Sequence, residues 1–170
     1  MIKRLAAACA SAALLSSLTL LPAQANELEL YAEFDDGWEV RIDPALGPGC
    51  LMQAEFEGGS LFRLGLDVPN DRGYIMSFDE SWEGIEEGEE YAITYRLNGD
   101  SDYEGTATGL NIAGVNGVEI VFNEIDFLEE ISTSSELALL HDGEQQLLID
   151  LRGIDAATLS LIECQGAVSS

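Results

Sequence analysis

Basic residues are scarce in this 170-residue chain, which has one lysine, six arginines and one histidine against 32 acidic residues. Lys3 and Arg4 both stand within the first four residues, so beyond them five arginines face every carboxylate of the chain. Such a balance repels polyanions; it excludes nucleic acid as a partner, opposes anionic lipid, and attracts cations and basic proteins. Chemistry-bearing motifs are missing too. There is no CxxC redox pair, no GxSxG nucleophile elbow and no cofactor fingerprint. A zinc site would have to combine the single His141 with carboxylates alone, which is an uncommon ligand set.

The N-terminus supplies what the rest lacks. Lys3 and Arg4 form a positive start, an apolar run extends from Leu5 to Leu21, Pro22 ends it, and Ala23-Gln24-Ala25 gives a small-x-small cleavage pattern. Residues 1–25 read as a secretory signal peptide, with Asn26 opening a single acidic domain over 26–170. An uncleaved anchor is the rival reading, but Ser11, Ser16, Ser17 and Thr19 interrupt a run that falls short of about 20 residues. Cleavage leaves five arginines against 32 acids, a formal charge of −27, and no stable membrane insertion. The expected location is periplasmic or secreted.

Cleavage also removes Cys9 and leaves Cys50 and Cys164, an even pair in an oxidising compartment, which predicts one structural disulfide. Two unpaired buried thiols are the alternative.

Asp36-Gly37, Asn98-Gly99, Asn116-Gly117 and Asp142-Gly143 are the dipeptides of two-residue hairpins, and Gly58-Gly59 and Asn70-Asp71-Arg72-Gly73 add two further turns. Between them the pattern alternates. Trp38, Val40 and Ile42 oppose Glu39 and Arg41; Phe62, Leu64 and Leu66 oppose Arg63 and Asp67; Leu147, Ile149 and Leu151 oppose Gln146 and Asp150. Further strands are predicted near 28–34, 50–57, 74–79, 91–97, 103–109, 118–122 and 136–141. Glu124 to Ile131 reads as a short helix. After Gly153, Asp155 reads as the N-cap of a terminal helix carrying Ala157, Leu161 and Cys164, with a final strand through Leu159 and Leu161 as the alternative. The fold class is mainly β: an antiparallel sandwich or partly open barrel with one or two short helices.

The order Trp38-x-Val40, Cys50, a Gly-Gly hairpin, Trp82, Gly88-x-x-Tyr91, Gly105, Phe127, Leu151-x-Gly153 and Cys164 resembles a group of small exported proteobacterial proteins of unassigned function. It is also similar, more faintly, to the invasion-associated locus B proteins, which are exported, β-rich and opened by a Trp-x-Val strand. Those proteins carry additional cysteines that this chain lacks. The resemblance implies fold and compartment, and carries over no catalytic residue.

Three constellations are candidates for chemistry. Asp100, Asp102 and Glu104 occupy the first, third and fifth places of an EF-hand-like loop, with Gly105 sixth, and are the candidate Ca²⁺ ligands. The twelfth place is Asn111 and no flanking helices are expected, so an Asn-Gly hairpin accounts for the same residues without metal. Glu83, Glu86, Glu87, Glu89 and Glu90 surround Trp82 and Gly88 as a solvated acidic loop, with Trp82 assigned to sheet packing. His141 stands beside a turn at a strand end, with Ser132, Ser134 and Ser135 reading as loop.

The functional expectation is a non-enzymatic exported interaction module without a cofactor. Its acidic surface would meet a basic protein or polycationic surface, one version being an inhibitor of a basic enzyme such as a lysozyme. A calcium-binding structural module and a carboxylate-dependent hydrolase are the alternatives. Because the acids are spread along the chain rather than massed in a single run, salt adaptation is the simpler account of the charge, and a surface built for a basic partner is the alternative to it.

Overall fold

The computed structural model describes residues 28–44, 49–123 and 125–169; the expected signal peptide, 1–25, lies outside them. Where apolar and polar residues alternate, the backbone extends and turns one face inward. The strands are β1 (Glu29–Glu33), β2 (Glu39–Asp43), β3 (Gly49–Phe56), β4 (Ser60–Asp67), β5 (Arg72–Phe78), β6 (Glu90–Leu97), β7 (Ser101–Ile112), β8 (Val115–Phe122), β9 (Glu136–His141) and β10 (Glu144–Asp150). All ten join one antiparallel sheet in the order β1-β2-β3-β4-β5-β8-β7-β6-β9-β10, which does not close. Of the two forms expected from the sequence, this is the open one. Helix α1 (Ile125–Ser132) links β8 to β9, and α2 (Ile154–Val168) ends the described chain.

The sheet curls so that the β1–β2 turn comes against the residues just past β10. Trp38, 1% exposed, packs edge-on against Phe62 at 5.9 Å and donates its indole N–H to the Arg152 carbonyl, 3.0 Å away, just beyond β10. Alongside it, Gly153 has φ +82° and lies against the Asp36 carboxylate, where any Cβ would overlap that side chain. Glycine meets both demands at once. Helix α2 then lies across β2 and β3, burying Ile154, Ala157, Leu161 and Cys164 in a core shared with Val40, Met52, Leu64, Ile149 and Leu151.

Helix α1 is held by rings. Phe127 meets Phe122 at 4.9 Å and Tyr95 at 5.1 Å, Tyr95 stacks on Tyr103, and the Tyr103 hydroxyl bonds Glu130.

Two local expectations are corrected. Asn116-Gly117 is not a turn: both residues lie within β8, and the β7–β8 hairpin turns at Ala113-Gly114, with φ of 54° and 90°. Asn111 makes that turn work, accepting from the Gly114 N–H and donating to Asn116 Oδ1. Nor is Asp155 the N-cap of α2; Gly153 holds that place and Asp155 falls in the first turn, where a carboxylate favours the helix dipole.

The expected disulfide is present. Cys50 of β3 and Cys164 of α2, both fully buried, are joined across a Cα separation of 6.1 Å, and the Cys50 N–H donates to Gln165 Oε1 beside them. The link spans 114 residues, a loop long enough for its removal to cost about 2–5 kcal/mol. Cys50→Ala/Cys164→Ala is therefore expected to lower the urea midpoint by that equivalent, and an unchanged midpoint would refute a stabilising role.

Candidate functional site

The strand order forces one connection to travel. β5 pairs with β8, yet the chain must next form β6 on the far side of β7, so residues 79–89 cross over β8 and β7. That crossing is pinned at both ends. Asn116 accepts at its carbonyl from Asp79 N–H and donates its side-chain amide to the Trp82 carbonyl, 2.8 Å away. At the other end Gly88 N–H bonds the Gly109 carbonyl at 2.9 Å and Gly109 N–H bonds the Glu89 carbonyl at 2.8 Å. The approach is so close that a Cβ at Gly109 would meet the Glu86 carbonyl oxygen at 2.1 Å.

Asp79 fastens the start of the crossing to the sheet, accepting from the hydroxyl of Ser60 on one oxygen and from the N–H and hydroxyl of Ser81 on the other. Burial pushes this carboxyl up, but the Ser60 and Ser81 hydrogen bonds outweigh it and its pKa lies below the ordinary value.

Under the crossing is a cleft of about 460 Å³. Its floor comes from Ile93 of β6, Val118 of β8 and Leu139 of β9; its walls are Trp82, Ile85, Tyr91 and His141. Tyr91 meets the His141 ring edge-on at 6.0 Å, and its oxygen accepts from the Glu86 N–H at 2.9 Å. His141 Nδ1 lies 2.8 Å from the Ala92 carbonyl, and a carbonyl only accepts, so Nδ1 is the donor of that bond. Nε2 is 3.7 Å from Asp142 Oδ2. Glu83 stands in the cleft wall, no arginine or lysine among the described residues lines it, Glu86, Glu87 and Glu89 are exposed along the same crossing, and Glu90 is exposed at the start of β6. The arrangement suits an organic cation: π faces and a carboxylate above an apolar floor.

The other candidates are not gathered here. Asp100 lies in the β6–β7 turn, Asp102 is held by Arg96 through both carboxylate oxygens, and Glu104 faces Thr94 across the same ladder. Among the described residues no group of three or more His, Cys, Asp or Glu side chains is placed to hold a metal ion. Ser135 precedes β9 and His141 ends it, which puts them roughly 20 Å apart at about 3.3 Å per strand residue. The packing role expected of Trp82 is met, since it touches the core, but it is half-buried and also walls the cleft. The missed signal was length: an eleven-residue connection is too long for a hairpin.

Fold and cleft together define a small β-protein of open-barrel type, closed by a disulfide-linked terminal helix and carrying an aromatic, acidic cleft. The chain is similar to invasion associated protein B from Bartonella henselae, whose crystal structure it matches with a TM-score of 0.57 and 12% identity over 81% of this chain and 98% of that one. At that identity the likeness is one of fold, and it agrees with the fainter of the two similarities read from the sequence. No family model and no curated protein matches the chain. None of these comparisons supplies a positive sign of catalysis.

Gly109→Val should displace the crossing, shift Trp82 emission to the red and leave the cooperative melt in place; unchanged emission would contradict the contact. Asp79 gives a pH dependence of definite sign. Its lowered folded pKa means its contribution is complete above the unfolded-state value of about 3.9 and fades as pH falls through the folded value. The Trp82 environment should therefore change in acid below about pH 4, and Asp79→Asn should already show the acid-form spectrum at pH 7.

Proposed function

We propose that this chain is an exported, non-enzymatic binding protein, periplasmic or secreted, whose acidic surface and aromatic cleft receive a cationic group of a basic partner. The observation that carries the reading is the cleft itself: Trp82, Tyr91 and Glu83 line it above an apolar floor, and among the described residues that line it His141 is the one basic side chain. The surrounding charge supports it. Every arginine among the described residues is engaged from within: Arg41 by Glu39, Arg72 by Asp67, Arg96 by Asp102, Arg152 by Asp150, and Arg63 by Gln53 and the Phe78 ring. The remaining carboxylates therefore form an uncompensated field that steers a cation toward the surface.

A partner lysine or arginine would enter the cleft with its aliphatic stem on Ile93 and Leu139 and its head against Trp82 and Glu83. Inhibition of a basic enzyme such as a lysozyme is the specific version of this role. Calorimetric titration with lysozyme is the direct test. Binding should weaken with salt, and Trp82→Ala should cost about 1–2 kcal/mol, or roughly five- to thirtyfold in Kd, as expected for a desolvated cation–π contact. Glu83→Gln should weaken it less and flatten the salt dependence. Salt-sensitive binding that ignores Trp82→Ala would assign the interaction to general charge and remove the cleft from it.

A further inference from the structure

A second surface lies away from the cleft, where α1 and α2 meet. A helix buries one stripe and shows water a polar one, but the outer face of α2 is aliphatic: Leu159 is 66% exposed and Ile162, one turn on, 50% exposed. With Leu128, Thr133 and Thr158 they line a groove of about 350 Å³ between the helices. Its edges are acidic. Glu129 and Asp155 line it, Asp126 and Glu163 flank it as exposed residues, and neither helix contains a lysine or an arginine.

Charge decides what can occupy it. A second copy of this chain would set the same carboxylates face to face, and an anionic membrane would be repelled in the same way. What fits is a chain with aliphatic side chains at helical spacing, flanked by lysine or arginine. Helix α1 has eight residues and is about 12 Å long at 1.5 Å per residue, so the groove accepts roughly two turns of a partner helix.

From the exposed Leu159 and Ile162 face and the carboxylates of Glu129 and Asp155 that line the groove beside it, we infer that the α1–α2 groove docks a short basic amphipathic helix of another protein, as a site separate from the Trp82 cleft. The inference shares the cationic partner class of the proposed function but rests on different residues.

The probe is a labelled helical peptide of about 14 residues, built from leucine and lysine with one apolar face, compared with a peptide of identical composition in scrambled order. At about 150 mM salt the amphipathic peptide should bind at least about tenfold tighter. Leu159→Ser/Ile162→Ser should abolish that preference, and so should Leu159→Lys. All three substitutions fall at two solvent-facing positions of the helix, Leu159 and Ile162, and a circular dichroism melt checks that the fold is kept. Trp82→Ala should retain the preference, so failure of the cleft reading leaves this result standing, and the converse holds. Equal binding of the two peptides, survival of the preference in the double variant, or its loss in Trp82→Ala would each overturn the inference. Self-association of the protein that is broken by Leu159→Ser/Ile162→Ser would overturn it as well, by making a second copy the occupant.

Discussion

A sheet that curls without closing has two free ends and an interior that water can enter between them. In this protein the bond from the Trp38 indole to the Arg152 carbonyl spans that gap, joining residues 114 apart in sequence. The indole also fills the core beside Phe62 and Phe56, so one side chain supplies both bulk and direction. Once β10 is delivered to the β1–β2 turn, the chain leaves it at Gly153, and α2 has nowhere to run except across β2 and β3. The disulfide therefore fixes an arrangement already set by Trp38 and Gly153. It bonds two positions that packing has brought together.

The same topology creates the cleft. Because β6 to β8 are inserted between β5 and β9, a connection must pass over two strands, and a polar connection lying on a sheet needs partners for its backbone. Gly109 and Asn116 provide them from the strands beneath. Trp82 is consequently presented from a loop onto a sheet face, half in the core and half in the cleft wall, a position neither a strand nor a free loop would give it.

How much of this was legible follows from the range of each signal. Asn98-Gly99 and Asp142-Gly143 turn as expected, with φ of 52° and 76°, and 51° and 79°, because the need for positive φ is local to two residues. Alternation located β9 at 136–141, and helical spacing located α1 within a residue at each end. Asn116-Gly117 misled because its asparagine is used at a distance: its side chain holds the Trp82 carbonyl, and the turn falls to Ala113-Gly114 instead. Strand order was illegible for the same reason, since nothing near residues 79–89 states that they cross two strands formed later in the chain. With the order went the cleft, whose walls come from the crossing and from β6 and β9. The carboxylates at 100, 102 and 104 were visible as a pattern, but the pattern did not carry the cross-strand pairing that gives Asp102 to Arg96.

Charge distribution follows from the scarcity of bases. With so few cations, each described arginine but Arg63 is paired with a single carboxylate close to it in sequence. Arg41, Arg96 and Arg152 accordingly pair with acids two to six residues away, and such exposed pairs contribute little to global stability. Their effect is on the field. Each of these arginines cancels one nearby acid, and the crossing at 79–89 and the two helices carry acids that no arginine pairs among the described residues. Generic salt adaptation accounts for acids dispersed over a surface. At the Trp82 cleft and the α1–α2 groove carboxylates stand beside open apolar side chains with no lysine or arginine among the described lining residues, and that juxtaposition is what makes them candidate binding sites.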